Sequence, residues 1–139
     1  MNTLATEITA RAVILRGGQI LLADHPMSPA AVLPGLPVDP GAPLENALLK
    51  EVTEQLGVRA VIVRFGGVVE HRYTSNGMAH HELTVLLVVA LMGEPHAAGF
   101  HWVSLAELDD TDIRPSVLKS ALSAAEDPPG WWPWRSDRD

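Results

Sequence analysis

The residues best suited to chemistry lie close together, in the stretch LPGLPVDPGAPLENALLKEVTEQLGV from Leu33 to Val58. A loop rich in Pro and Gly leads into a segment that carries Lys50, Glu51, Glu54 and Gln55 and closes at Gly57. Oxygen ligands gathered on one side of a helix suit a hard cation such as Mg²⁺ or Mn²⁺. Such an ion is commonly held by one or two carboxylates together with the phosphates of a substrate. Leu44, Leu48, Val52 and Leu56 recur every four residues as one apolar stripe. With Leu44 set at zero, Glu51 falls at about 340° and Glu54 at about 280° on a helical wheel. Glu51 therefore flanks the buried stripe. The two acids share a face and repel unless a cation intervenes, which Lys50, four residues before Glu54, can supply. Periodicity leaves two readings open: a solvated helix face with one ion pair, or a site for a divalent metal.

Those residues need a scaffold. ARAVILR and QILLA read as two strands around Gly17-Gly18, a pair suited to a hairpin turn. The loop Asp24 to Pro43 holds six prolines and is too broken for a long element. Pro43 suits the first helical position and Gly57 the left-handed position past the end, so a helix is expected from about Pro43 to Leu56. Arg59 to Val69 reads as a strand, and Tyr73 to Gly77 as a turn in which Asn76-Gly77 is the hairpin signal. ELTVLLVVAL, from Glu82 to Leu91, is nearly all apolar, as expected of a strand covered on both faces. Phe100 to Val103 suggests a short strand, Ser104 a helix cap, and Pro115 to Glu126 a second helix. The order of strands, helix, strands, helix predicts one mixed α/β (α+β) domain over residues 1–127, with an irregular Trp-rich tail over 128–139.

The chain has 139 residues, 47% of them hydrophobic, and a net charge of −7. It is long enough to bury a core without staples, and with no cysteine it has neither disulfides nor thiolate metal sites. No basic run offers itself to a nucleic-acid backbone, so no long nucleic acid is expected as a partner. A small phosphorylated ligand remains open, because a divalent cation can bridge two negative partners. The start, MNTLATEITAR, lacks a basic and an apolar region, and no run approaches the roughly 20 apolar residues of a membrane helix. No membrane association and a cytoplasmic location are the expectations.

The segment resembles the Nudix box of the Nudix hydrolases. That pattern is Gly, five residues, Glu, seven residues, Arg-Glu, an aliphatic, any residue, Glu-Glu, any residue, Gly and an aliphatic. The matching positions here are Leu36, Ala42, Lys50-Glu51, Val52, Thr53, Glu54-Gln55, Leu56, Gly57 and Val58. Leu33-Pro34-Gly35 is similar to the family's lead-in, ARAVILRGGQILLA to its opening hairpin, and His81-Glu82-Leu83 to a segment many members carry. HWVSLAELDDTDIRPSVLKSAL resembles the closing strand, helical turn and helix, so the likeness covers roughly residues 10 to 125.

The resemblance implies an α/β/α sandwich with a mixed central sheet. It also implies Mg²⁺-assisted attack of water on a diphosphate bond, the substrate being a nucleoside diphosphate derivative. Glu51 and Glu54 are the implied metal ligands, and Glu82 or Glu70 an added carboxylate that serves as ligand or base. Gln55 stands where the family has an acid and offers a neutral oxygen, so it would ligate weakly. Lys50 replaces a bracing Arg and loses its planar fork, while Ala42 and Leu36 replace a Glu and a Gly. Lys50 completes the implied catalytic set of Glu51, Glu54 and Glu82. A Nudix fold that binds a ligand or regulates without hydrolysis is the second reading.

Among the remaining candidates, His80 and His81 are neighbours on a strand and face opposite ways, so they do not share an ion. His71, His96 and His101 are scattered. Arg72 and Tyr73 could contact a phosphate or stack on a base, or be plain turn residues. Trp102 is expected in the core. Trp131, Trp132 and Trp134 suit docking on the domain surface or the interface of a homodimer.

Overall fold

The structure, a computed structural model, describes residues 6–123 and 130–132. Strand β1 (Thr6–Val13) begins four residues before the expected start and stops at Ile14, where the chain leaves one sheet for another. β2 (Leu15–Arg16) and β3 (Gln19–Asp24) then form the expected hairpin around Gly17-Gly18. Two short strands, β4 (Ala31–Val32) and β5 (Gly35–Pro37), punctuate the proline loop. Helix α1 (Leu44–Leu56) follows, then β6 (Ala60–Ser75), β7 (Met78–Leu91) and β8 (Phe100–Ser104). A 3-10 segment, Leu105–Asp110, leads to α2 (Leu118–Ser123). Gly130–Trp132 forms β9 where an irregular tail was expected.

The main sheet is ordered β5-β1-β7-β6-β9, and β2-β3-β4 with β8 beside β3 make the second. β1 runs parallel to β7 and β9 parallel to β6, whereas β6 and β7 form a long antiparallel hairpin. Its turn is Asn76-Gly77, with Asn76 at φ 52° as a tight hairpin turn demands. The strands extend well into the stretch read as a turn from Tyr73, because Tyr73, Thr74 and Ser75 continue the ladder opposite His80, Ala79 and Met78. Two register shifts, between Ile62 and Arg64 and between Phe65 and Gly67, mark bulges that bend β6.

The stripe on α1 behaves as its spacing predicts. Leu48, Val52 and Leu56 are fully buried against Ala10, Ala12, Leu87 and Val89, while Leu44 is half-buried. Each such burial contributes about 1.5–3 kcal/mol. The other face of the sheet packs Val69, Leu86 and Val88 on Leu118, Ala121 and Leu122 of α2. β7 is thus covered on both sides, and the fold is the expected mixed sheet between helices. Pro43 takes the cap position rather than the first turn, with φ −66° and ψ 127°. Gly57 ends the helix at φ 72°, donating its N–H to the Thr53 carbonyl.

Ser104 caps the 3-10 segment by accepting the Ala106 N–H at 3.2 Å. The helix expected from Pro115 begins at Leu118, because residues 115–117 are taken up by a turn. Its expected end at Glu126, the boundary at 127 and Trp134 lie outside the described residues. Among the described residues no helix is long and apolar enough to cross a membrane.

Candidate active site

A cleft of about 780 Å³ opens where β1, the loop before β5, α1 and the β6–β7 hairpin meet. Its lining includes Arg11, Gln55, His71, Tyr73, Glu82 and Arg114. Register explains the convergence from β1 and β7. Thr9 lies opposite Thr84 and Glu7 opposite Glu82, so Thr9, Arg11, Glu82 and Thr84 share one face of the sheet. The Glu82 carboxylate is oriented by two hydroxyls: Thr9 Oγ1 donates at 2.7 Å and Thr84 Oγ1 at 3.3 Å. Thr9 and Thr84 are buried. The carboxylate is therefore aimed by side chains that cannot themselves turn away.

The helix brings a second group. Glu51 and Gln55 are half-buried, one turn apart, and Gln55 Nε2 donates to Glu51 Oε2 at 2.6 Å. Gln55 Oε1 is buried with no hydrogen-bond partner among the described residues. Glu54 and Lys50 are exposed and make no ion pair with each other there. The i,i+4 pair allowed by the sequence is not formed.

The two further acids separate. Glu82 lines the cleft, whereas Glu70 accepts from His81 Nε2 at 2.7 Å and does not line it. His81 also meets Thr6 through Nδ1, while His80 turns the other way to Glu7 at 3.4 Å, so the two imidazoles diverge as alternation requires. Arg72 is exposed.

Arg11 is the residue that sequence reasoning missed. Its guanidinium crosses toward the proline loop and donates to the Leu33 carbonyl at 2.9 Å. Burial lowers its pKa, and the charges of Glu82 and Glu51 push back up. A charged residue inside ARAVIL, where neighbours on both sides are apolar, was the available signal.

Three rings form a ladder beside the cleft. His71 stacks on Tyr73 with centroids 5.1 Å apart, and Tyr73 on His80 at 4.8 Å. The stack follows from alternation along β6 and from the Tyr73–His80 register across to β7. Burial, then Glu82 and Glu7, raise the Tyr73 pKa above its ordinary value of 10.0. Tyr73 is the single tyrosine of the chain, so ultraviolet titration reads it directly. Its midpoint is expected above the free phenol's, and Glu82→Gln should lower it; an unchanged midpoint in that variant would refute the charge contribution. Trp102, expected in the core, is only half-buried: it packs against the core from its rim, with the Arg16 guanidinium 3.9 Å from its ring centroid.

Among the described residues no three His, Cys, Asp or Glu side chains gather closely enough to hold a metal ion by themselves. The donors at the helix still fit a cation of the Mg²⁺ type in chemistry: two carboxylates, Glu51 and Glu54, and the unpartnered Gln55 oxygen, with phosphate oxygens completing the shell.

A mixed sheet between helices, with an acidic helix beside a polar cleft, defines the class. Residues 6–121 match the NUDIX domain family, and the chain belongs to that family. A Mycobacterium tuberculosis protein, named as a candidate 8-oxo-dGTP diphosphatase, is 32% identical over 117 residues, which cover 79% of this chain and 82% of that one. The MutT NUDIX hydrolase of Burkholderia pseudomallei superposes with a TM-score of 0.68 at 27% identity, over 86% of this chain and 97% of that one. The MutT protein of Methanosarcina mazei shares the fold with a TM-score of 0.72 at 18% identity, covering 91% and 96%.

Proposed function

We propose that this Nudix pyrophosphohydrolase cleaves the diphosphate bond of a small nucleoside diphosphate derivative. The observation that carries the reading is the meeting of Glu82, Arg11 and the box helix residue Gln55 at one cleft of nucleotide size. Nudix hydrolases use divalent metals. Glu51 and Glu54, with Gln55 as a weak neutral donor, would hold Mg²⁺ or Mn²⁺, which when bound neutralises phosphate charge and polarises the attacking water. Lys50, exposed on the helix and outside the lining of the cleft, keeps the positive charge of the bracing Arg it replaces.

The chain's own groups supply the rest. Glu82, fixed by Thr9 and Thr84, takes the proton of the attacking water as its oxygen bonds to phosphorus and the bridging P–O bond breaks. His71 and Tyr73 of the ring ladder line the cleft, and their polar atoms suit hydrogen-bonding a base. The 8-oxo-dGTP named for the Mycobacterium relative makes oxidised purine nucleoside triphosphates the first substrates to try.

The experiment is a panel of such triphosphates, nucleotide sugars, dinucleoside polyphosphates and ADP-ribose with Mg²⁺ or Mn²⁺, run beside Glu54→Gln. Turnover lost in the variant supports hydrolysis. No product from any member at high enzyme concentration overturns it and favours the binding module, which the neutral Gln55 already supports. Gln55→Glu should raise turnover.

A cytoplasmic location and a homodimer complete the proposal. The exposed Val61, Val63, Phe65 and Trp131 on β6 and β9 support the second, and sedimentation equilibrium tests it.

A further inference from the structure

We propose that Arg11 is a phosphate-binding residue that holds the substrate's diphosphate directly, whether or not a divalent cation is present. This rests on the reading of the cleft as a diphosphate site. A guanidinium carries five N–H donors in a planar fork that matches a phosphate edge. One of them goes to the Leu33 carbonyl at 2.9 Å, and among the described residues Arg11 has no other acceptor. Glu82 and Glu51 act on it through their charge but form no ion pair with it there. Its charge is therefore present in the cleft wall and not quenched by contact.

The side chain is also held in place. Arg11 pairs with Gly35 across β1 and β5, and a Cβ on Gly35 would come within 2.8 Å of Arg11 Cδ. The chain passes over a backbone without a side chain, with its head pinned by a carbonyl. Such a cation loses little freedom when an anion arrives. It also answers a problem of charge. A diphosphate entering beside Glu51 and Glu82, in a chain of net charge −7, is repelled until a positive group meets it. A brace for the loop alone would need only the Leu33 bond, which a lysine can make.

The test measures binding of inorganic pyrophosphate in EDTA by calorimetry. The wild type should bind, Arg11→Gln at least tenfold more weakly, and Arg11→Lys in between, since it keeps the charge and loses the fork. Thermal unfolding without ligand separates a structural role, which would move the midpoint and leave the affinity of the folded protein unchanged. In the wild type itself, the Arg11 Nε–H resonance, identified by its absence from Arg11→Lys, should shift on adding pyrophosphate. No binding in EDTA, equal affinities for wild type and Arg11→Gln, or an unmoved resonance overturns the proposal. Turnover of the nucleotide panel with Mg²⁺ is scored separately. Hydrolysis without Arg11-dependent binding removes this contact and leaves the enzyme; Arg11-dependent binding without hydrolysis removes the reaction and leaves the contact.

Discussion

Replacing Glu51 by Gln is expected to lower kcat/KM with Mg²⁺ by about a hundredfold or more, the usual scale for losing one group that stabilises developing charge. The site makes this residue unusually exposed to loss. The helix offers two carboxylates and one amide, and Gln55 cannot replace a missing charge. The substitution should leave the fold almost untouched. Glu51 is half-buried, and the new amide oxygen can still accept the Gln55 N–H that Glu51 Oε2 takes at 2.6 Å. Steady-state kinetics, with Mn²⁺ affinity measured by electron paramagnetic resonance, should show activity and metal affinity falling together at an unchanged unfolding midpoint. Wild-type turnover in Glu51→Gln would remove Glu51 from the chemistry.

The largest stability effect is expected at Gly35. Gly35→Ala would place a Cβ 2.1 Å from the Ala10 carbonyl oxygen and 2.9 Å from Arg11 Cα. These are backbone atoms of the adjacent strand, so no rotamer change relieves the contact. Either β5 moves away from β1 or both strands distort, at a cost of about 3 kcal/mol, the upper part of the range for forcing atoms into a packed interior. Urea unfolding would read this as a lower midpoint at unchanged slope. A loss under about 0.5 kcal/mol would show that β5 shifts freely, since that is the scatter of ordinary surface substitutions. If β5 shifts, the Leu33 carbonyl should move from Arg11, so pyrophosphate affinity should fall with stability.

Local signals located most of the elements. The four-residue stripe on α1, Gly57 at its end and Asn76-Gly77 between two strands act within a few residues, and each appears where the sequence predicts it. The nearly all-apolar run in β7 likewise forecast burial on both faces. Long-range signals were weaker. Nothing in residues 130–132 announces a partner 63 residues earlier, so composition alone reads β9 as irregular tail. The β6–β7 hairpin ran past Tyr73 because cross-strand pairing outweighed the turn-like composition of Thr74 and Ser75.

The site divides along the same line. The sequence alone determined the helix and its acids, because helical period and residue identity are local properties, and the resemblance to the Nudix box marked Gln55 as standing in an acid's place. It left Glu70 and Glu82 as alternatives, each an acid at the end of an expected strand, whereas β6 and β7 run on past both. Tertiary structure separated them: register with β1 gave Glu82 two hydroxyl donors and a place on the cleft, while Glu70 paired with His81 away from it. Only the tertiary structure could show Arg11 as well, since its place depends on a loop carbonyl and a bare glycine contributed more than 20 residues away. Residue type sets what a group can do, and the packing of distant strands sets which groups meet.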